Sequence, residues 1–383
     1  MAYSNIEKPI RGPYCFADSD DASILSQAAV LLATGATLRG DDAALEARAT
    51  AAGLDSAPEV VPREDADIFP VPRVTAGIAG RQNTAQTRVG IELRYGRSVL
   101  ETDNSEKLHK AVIPDLAERH YRQPSIQTAS ELMEASLVND AEIVRVAAAS
   151  AYFELSAEPE RLLNILAEGT HSDDELTREV AATALANVSP THPALQMFRE
   201  EAGAGAAAAG ATTLMIHGTW AANERWWQSN GVFFDYILNN VRTDLYNHSD
   251  RFGWSGVYSD AARLQASQDL IAWMASHNEE QPDMITHSHG GSVAFLATQA
   301  GQTTGELVLL SCPVHLPKYL PDFTKIRKTV SIRVHLDLVL LADRSGQKFS
   351  LAQIQENVLP IWFDHSKTHD PATWQRYNVE SML

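Results

Sequence analysis

The sequence predicts an α/β fold for residues 212–383, a mostly parallel sheet flanked by helices with no large cap, preceded by a mainly helical N-terminal region. Three observations carry this expectation. Short apolar runs of strand length alternate with helical patterns throughout 212–383. The stretch 201–211 is Ala and Gly after Glu201, without a large apolar anchor, and reads as a linker. Before it, 139–200 is helical and repeats itself.

A chain of 383 residues calls for more than one core. Its 31 basic and 49 acidic residues leave a net charge of −18, which argues against unaided binding to nucleic acid or an anionic membrane. The N-terminus lacks a basic segment followed by an apolar core, and no run reaches the roughly 18 apolar residues of a membrane span. A cytoplasmic protein is the expectation. Cys15 and Cys312 lie in different regions and form no zinc-ligand spacing, so neither a disulfide framework nor a metal is expected. Cys312 ends an apolar strand and reads as a buried, inert thiol.

Residues 1–138 form a mainly helical region without a recognisable task, with helical patterns at 22–38, 42–52 and 129–137 and one strand-like alternation at 87–93. Four prolines make 56–72 a loop. In 139–200, Asp140, Glu142, Arg145, Ala148, Ala149 and Ala151 recur 33 residues later as Asp173, Glu175, Arg178, Ala181, Ala182 and Ala184. This segment resembles HEAT-type helical pairs; an Ala-rich bundle is the plainer alternative. Two such units bury too little alone, which implies packing on the rest of the chain or on a protein partner.

Beyond the linker, 212–217 is a buried strand that stops at Gly218-Thr-Trp220. Helical spacing follows from Trp226 to Leu238 and again from Ser259 to Met274, leading into the strand 283–287. Then comes Ser288-His-Gly-Gly291 and a helix. A serine squeezed between strand and helix projects its hydroxyl above the sheet edge, and the first helical N–H groups lie where an oxyanion would form. Gly290 and Gly291 let the helix approach the strand. Ser255, in Gly253-Trp-Ser-Gly256, is a rival, but glycine follows it directly and no strand precedes it.

In this order, His217-Gly-Thr-Trp220, Phe252-Gly-Trp-Ser-Gly256, Ala261-Ala-Arg263 and His287-Ser-His-Gly-Gly291 resemble a lipase/esterase-like branch of the α/β-hydrolase superfamily, over about 170 residues. Thr286 departs from the Gly-x-Ser-x-Gly elbow of that family. The resemblance implies Ser288 as nucleophile, followed by an acid and a base at the ends of later strands. Asp337, directly after the strand 328–335, is the preferred acid and Asp343 the alternative. His365, on the loop after the strand 358–363, is the preferred base and His369 its rival; Asp364 sits on the wrong side of the strand end. Backbone N–H groups of Thr219 and His289 would form the oxyanion hole. Trp220 and Trp254 are candidate substrate walls, with Trp254 equally readable as a core anchor, and Phe233 and Phe234 as packing. His217 reads as a structural strand-end residue.

The implied activity is acyl transfer through Ser288 to water, without a cofactor, on a small-molecule or polymeric ester. Thioesters, amides or a non-water acceptor stay open. The competing class is a helical-repeat interaction protein carrying a regulatory or inactive hydrolase domain.

Overall fold

In the computed structural model, residues 21–38, 113, 115–117, 119–120, 123, 125–198 and 212–383 are described. The linker 201–211, Cys15 and the patterns expected at 42–52, 56–72 and 87–93 lie outside them. The chain divides into two compact units, one running to His192 with Leu341–Arg344, the other comprising Pro193–Leu340 and Ser345–Leu383. The division therefore falls before the Ala/Gly stretch, and a four-residue piece of the C-terminal region groups with the helices.

The first unit contains α1 (Asp21–Leu38), α2 (Ile126–Ser136), α3 (Glu142–Tyr152), α4 (Pro159–Gly169) and α5 (Glu175–Val188). Local chemistry sets the starts. Ser125 and Thr128 form a capping box on α2, Pro159 opens α4, and Asp174 accepts the Thr177 N–H at 2.7 Å on α5. Small residues then let the helices close up, with Ala147, Ala148, Ala149, Ala181 and Ala182 fully buried. The sequence repeat has a physical counterpart. Arg145 Nη1 donates to Asn139 O at 2.7 Å, and Arg178 Nη1 donates to Ser172 O at 2.9 Å. The same side chain thus closes the same turn onto a carbonyl six residues back, one repeat later.

The second unit is built on five strands: β1 (Thr213–Ile216), β2 (Asp283–His287), β3 (Thr304–Leu310), β4 (Ile326–His335) and β5 (Ile354–Trp362). They lie in the order β1-β2-β3-β4-β5 and every pairing is parallel. β1 to β3 are buried along almost their whole length, as expected when helices cover both faces. On one face Met215, Ile285, Val308, Leu310, Val330, Ile332 and Leu359 meet Phe233, Phe234 and Ile237 of α6 (Val232–Asn240) and Trp374 near the C-terminus. On the other, α7 (Asp260–His277) packs beside α8 (His289–Gln299). Cys312 is a buried thiol there, against Gly291 of α8.

The helix expected from Trp226 starts only at Val232. The chain first makes two tight turns, Gln228 N to Arg225 O at 3.0 Å and Gly231 N to Gln228 O at 2.8 Å. Apolar periodicity ran on through them because Trp226 and Trp227 face the same core as the helix. Among the described residues no helix is long and apolar enough to cross a membrane.

Candidate active site

The C-terminal ends of the strands turn sharply. Ser288 after β2, Ser311 after β3, Leu336 after β4 and Phe363 after β5 all have positive φ, at 50°, 44°, 47° and 73°. Non-glycine residues avoid this region, and each costs about 1–3 kcal/mol unless the surroundings hold it. In open parallel sheets ligands bind beyond this rim.

Ser288, with φ 50° and ψ −130°, joins β2 to α8. Two bonds hold its bend: its N–H donates to Leu310 O at 2.8 Å, and its carbonyl accepts the Gly291 N–H at 3.0 Å. Backbone closes in from both sides. A Cβ on Gly290 would stand 2.6 Å from Ile216 O, and one on Gly218 would stand 2.7 Å from Ser288 Cβ. Only glycine fits at either place, so the loop after β1 lies against the serine and Thr219 follows at once. Trp220 N–H donates to Gly256 O at 2.9 Å and anchors that loop. His289 opens α8, where the first N–H groups have no acceptor inside the helix.

His365 Nδ1 and Asp337 Oδ2 are 2.6 Å apart. A carboxylate can only accept, so the ring N–H donates and Nε2 is left as the basic nitrogen. Asp337 is 0% exposed. Its Oδ1 accepts the Val339 and Leu340 N–H groups at 3.0 and 3.2 Å, capping the short helix Leu338–Ala342. Gln347 grips its backbone from both sides, accepting the Asp337 N–H at 2.8 Å and donating to Asp337 O at 3.1 Å. Sequence reasoning missed Gln347, because a glutamine ten residues past an aspartate carries no signal. Asp364 caps the 3-10 turn His365–His369 by accepting the Ser366 N–H at 3.1 Å, and Ser311 Oγ donates to His365 O at 3.3 Å.

His369, four residues from His365 on the same turn, has a different neighbourhood. Its ring lies 4.2 Å from Trp226 and edge-on to His287 at 4.5 Å, and its Nδ1 has no hydrogen-bond partner among the described residues. Burial first, then the nearby His365 and Lys367, push its pKa down to about 3. His287, 4.7 Å from His365 and next to Ser288, is held well below the ordinary imidazole value by burial and by His369 and His365. These rings form a neutral bed beside His365. Asp343 belongs to the other compact unit, and the carboxylate on His365 is that of Asp337.

The remaining candidates sort by environment. His217 is buried, which lowers its pKa to about 4, and Nδ1 donates to Gly218 O at 2.8 Å, as a structural strand-end residue would. Trp254 corrects the expectation of a substrate wall. It is 3% exposed, stacks on His217 at 5.7 Å, and its indole N–H donates to His217 O at 2.9 Å. It is a core anchor, since its polar handle is already engaged. Trp220 stays half-buried beside Tyr258, their rings 6.0 Å apart. Ser255 lies in a loop with no strand before it.

Comparison with known proteins gave no match to a family model, a curated protein or a solved structure.

Proposed function

We propose that residues 212–383 carry a serine carboxylester hydrolase, an α/β-hydrolase of lipase/esterase-like type, acting through Ser288, His365 and Asp337. The observation that carries this reading is the 2.6 Å bond from His365 to the buried Asp337, on the sheet rim that also holds Ser288 in its strained bend. An imidazole with Nδ1 tied to a carboxylate is a base at Nε2, and an acid–base pair of this kind beside a strand-to-helix serine is the constellation of acyl transfer.

In the proposed reaction Ser288 Oγ attacks the carbonyl carbon while His365 Nε2 takes its proton. The π electron pair moves to the carbonyl oxygen, where the N–H groups of His289 and Thr219 stabilise it. Collapse expels the alkoxide, protonated by His365. Water then repeats the sequence on the acyl-serine and returns the acid. Asp337 keeps the tautomer and stabilises the transient imidazolium. The strand-end bends at Ser288, Leu336 and Phe363 support this reading, since groups fixed ahead of substrate leave little reorganisation for the reaction itself.

Incubation with a fluorophosphonate probe, followed by mass-spectrometric location of the adduct, tests the proposal. A label on Ser288, lost in Ser288→Ala and on unfolding, is expected. Folded protein that carries no label at Ser288 and hydrolyses no p-nitrophenyl ester would overturn it.

A further inference from the structure

We infer that the side-chain hydroxyl of Thr219 is a catalytic group, a third donor to the oxyanion beside the two backbone N–H groups; the inference rests on the serine-hydrolase reading above. Thr219 is 9% exposed, and its Oγ1 is buried with no hydrogen-bond partner among the described residues. A buried hydroxyl left unpaired is destabilising, and native folds seldom keep one without a use. Several buried hydroxyls on this unit are engaged. Thr286 Oγ1 donates to Val308 O at 3.0 Å, Thr298 Oγ1 to Phe295 O at 2.7 Å and Thr368 Oγ1 to Ser311 Oγ at 3.1 Å, while Ser292 Oγ meets His289 Nδ1 at 3.2 Å.

The unused donor belongs to the residue that follows the one packed on Ser288. Thr219 follows Gly218, whose missing side chain is what lets the loop touch Ser288 Cβ. The bond from Trp220 N–H to Gly256 O then holds the loop on its other side. A β-branched side chain is stiff at χ1, so the hydroxyl is set in place by the backbone that also presents the Thr219 N–H. Its O–H would donate weakly to a ground-state carbonyl and strongly to the same oxygen once it bears the negative charge of the tetrahedral intermediate. No proton is transferred; the bond weakens again when the carbonyl re-forms. Such a group acts on kcat rather than on KM.

The test compares Thr219→Val, Thr219→Ser and Ser288→Ala in the full chain. Turnover of p-nitrophenyl butyrate is measured with inhibition by phenylboronic acid, which forms a tetrahedral adduct on a reactive serine. Thr219→Val is expected to lower kcat roughly tenfold to a hundredfold with KM unchanged, and to weaken the boronic acid by the same factor. Its Tm should hold or rise, because valine removes the unpaired hydroxyl. Thr219→Ser should recover most of the loss. Unchanged kcat in Thr219→Val, with Ser288→Ala inactive, overturns the inference and leaves the hydrolase reading standing. So does a loss of kcat that follows a fall in Tm and that serine does not rescue. Full turnover in Ser288→Ala overturns both.

Discussion

The two rims of the sheet are made of the same strands and built on opposite rules. At the N-terminal rim carboxylates are answered by cations or hydroxyls. Glu306 pairs with Arg242 and with Lys328 at 2.9 Å, Asp283 accepts from Arg327 at 3.1 Å and from the Glu306 N–H at 2.6 Å, and Thr212 bonds Glu279 at 2.7 Å. At the C-terminal rim the backbone is strained in four of the turns, imidazoles are kept neutral by burial, and Thr219 holds an unused hydroxyl. Under the proposed function, the difference marks where stability has been given up for chemistry.

That contrast can be broken most forcefully at Ser288. Ser288→Ala should lower kcat/KM on p-nitrophenyl butyrate by roughly 10⁶-fold while thermal unfolding changes little. Next in size, Asp337→Asn keeps the shape of the site but frees the wrong tautomer of His365. A fall in kcat of roughly 10⁴-fold is expected in the same assay.

The acid limb of stability sharpens the comparison further. His217 and His369 ordinarily titrate near 6.5 and are pushed to about 4 and about 3 in the fold. Below pH 6.5 the unfolded chain takes up protons that the folded chain refuses, so folding weakens as pH falls. Each histidine contributes about 1.4 kcal/mol per pH unit, until its folded pKa is reached; above 6.5 neither contributes. His369→Phe, which keeps a flat ring against Trp226, should flatten the dependence of the urea midpoint on pH between 6 and 4 by about one proton. The opposite rim should respond in stability alone: Glu306→Gln is expected to cost about 2 kcal/mol in urea unfolding and to leave kcat unchanged.

The strand-to-helix turn was legible in the chain because it needs a small-residue signature around one serine, and Ser288-His-Gly-Gly291 supplies it. Asp337 was legible because it directly follows a ten-residue strand, Ile326–His335. The choice between His365 and His369 was not, since both sit on one short turn and only the fold decides which ring meets the carboxylate and which meets Trp226. Trp254 carried the same ambiguity: a tryptophan beside glycines reads alike as wall or anchor until its N–H partner is known. Gln347 and the Thr219 hydroxyl were invisible because one is defined by a distant backbone and the other by the lack of a partner. The late start of α6 at Val232 follows the same logic, periodicity recording which side chains share a core and not which backbone bonds connect them.

Because the strands stand side by side in the order in which they are made, each new one can be laid on the edge left by the last, and none has to be threaded between two already in place. During synthesis the serine arrives with the second strand, long before the turn that carries His365. Under the proposed chemistry, the growing sheet would hold Ser288 before His365 can meet Asp337.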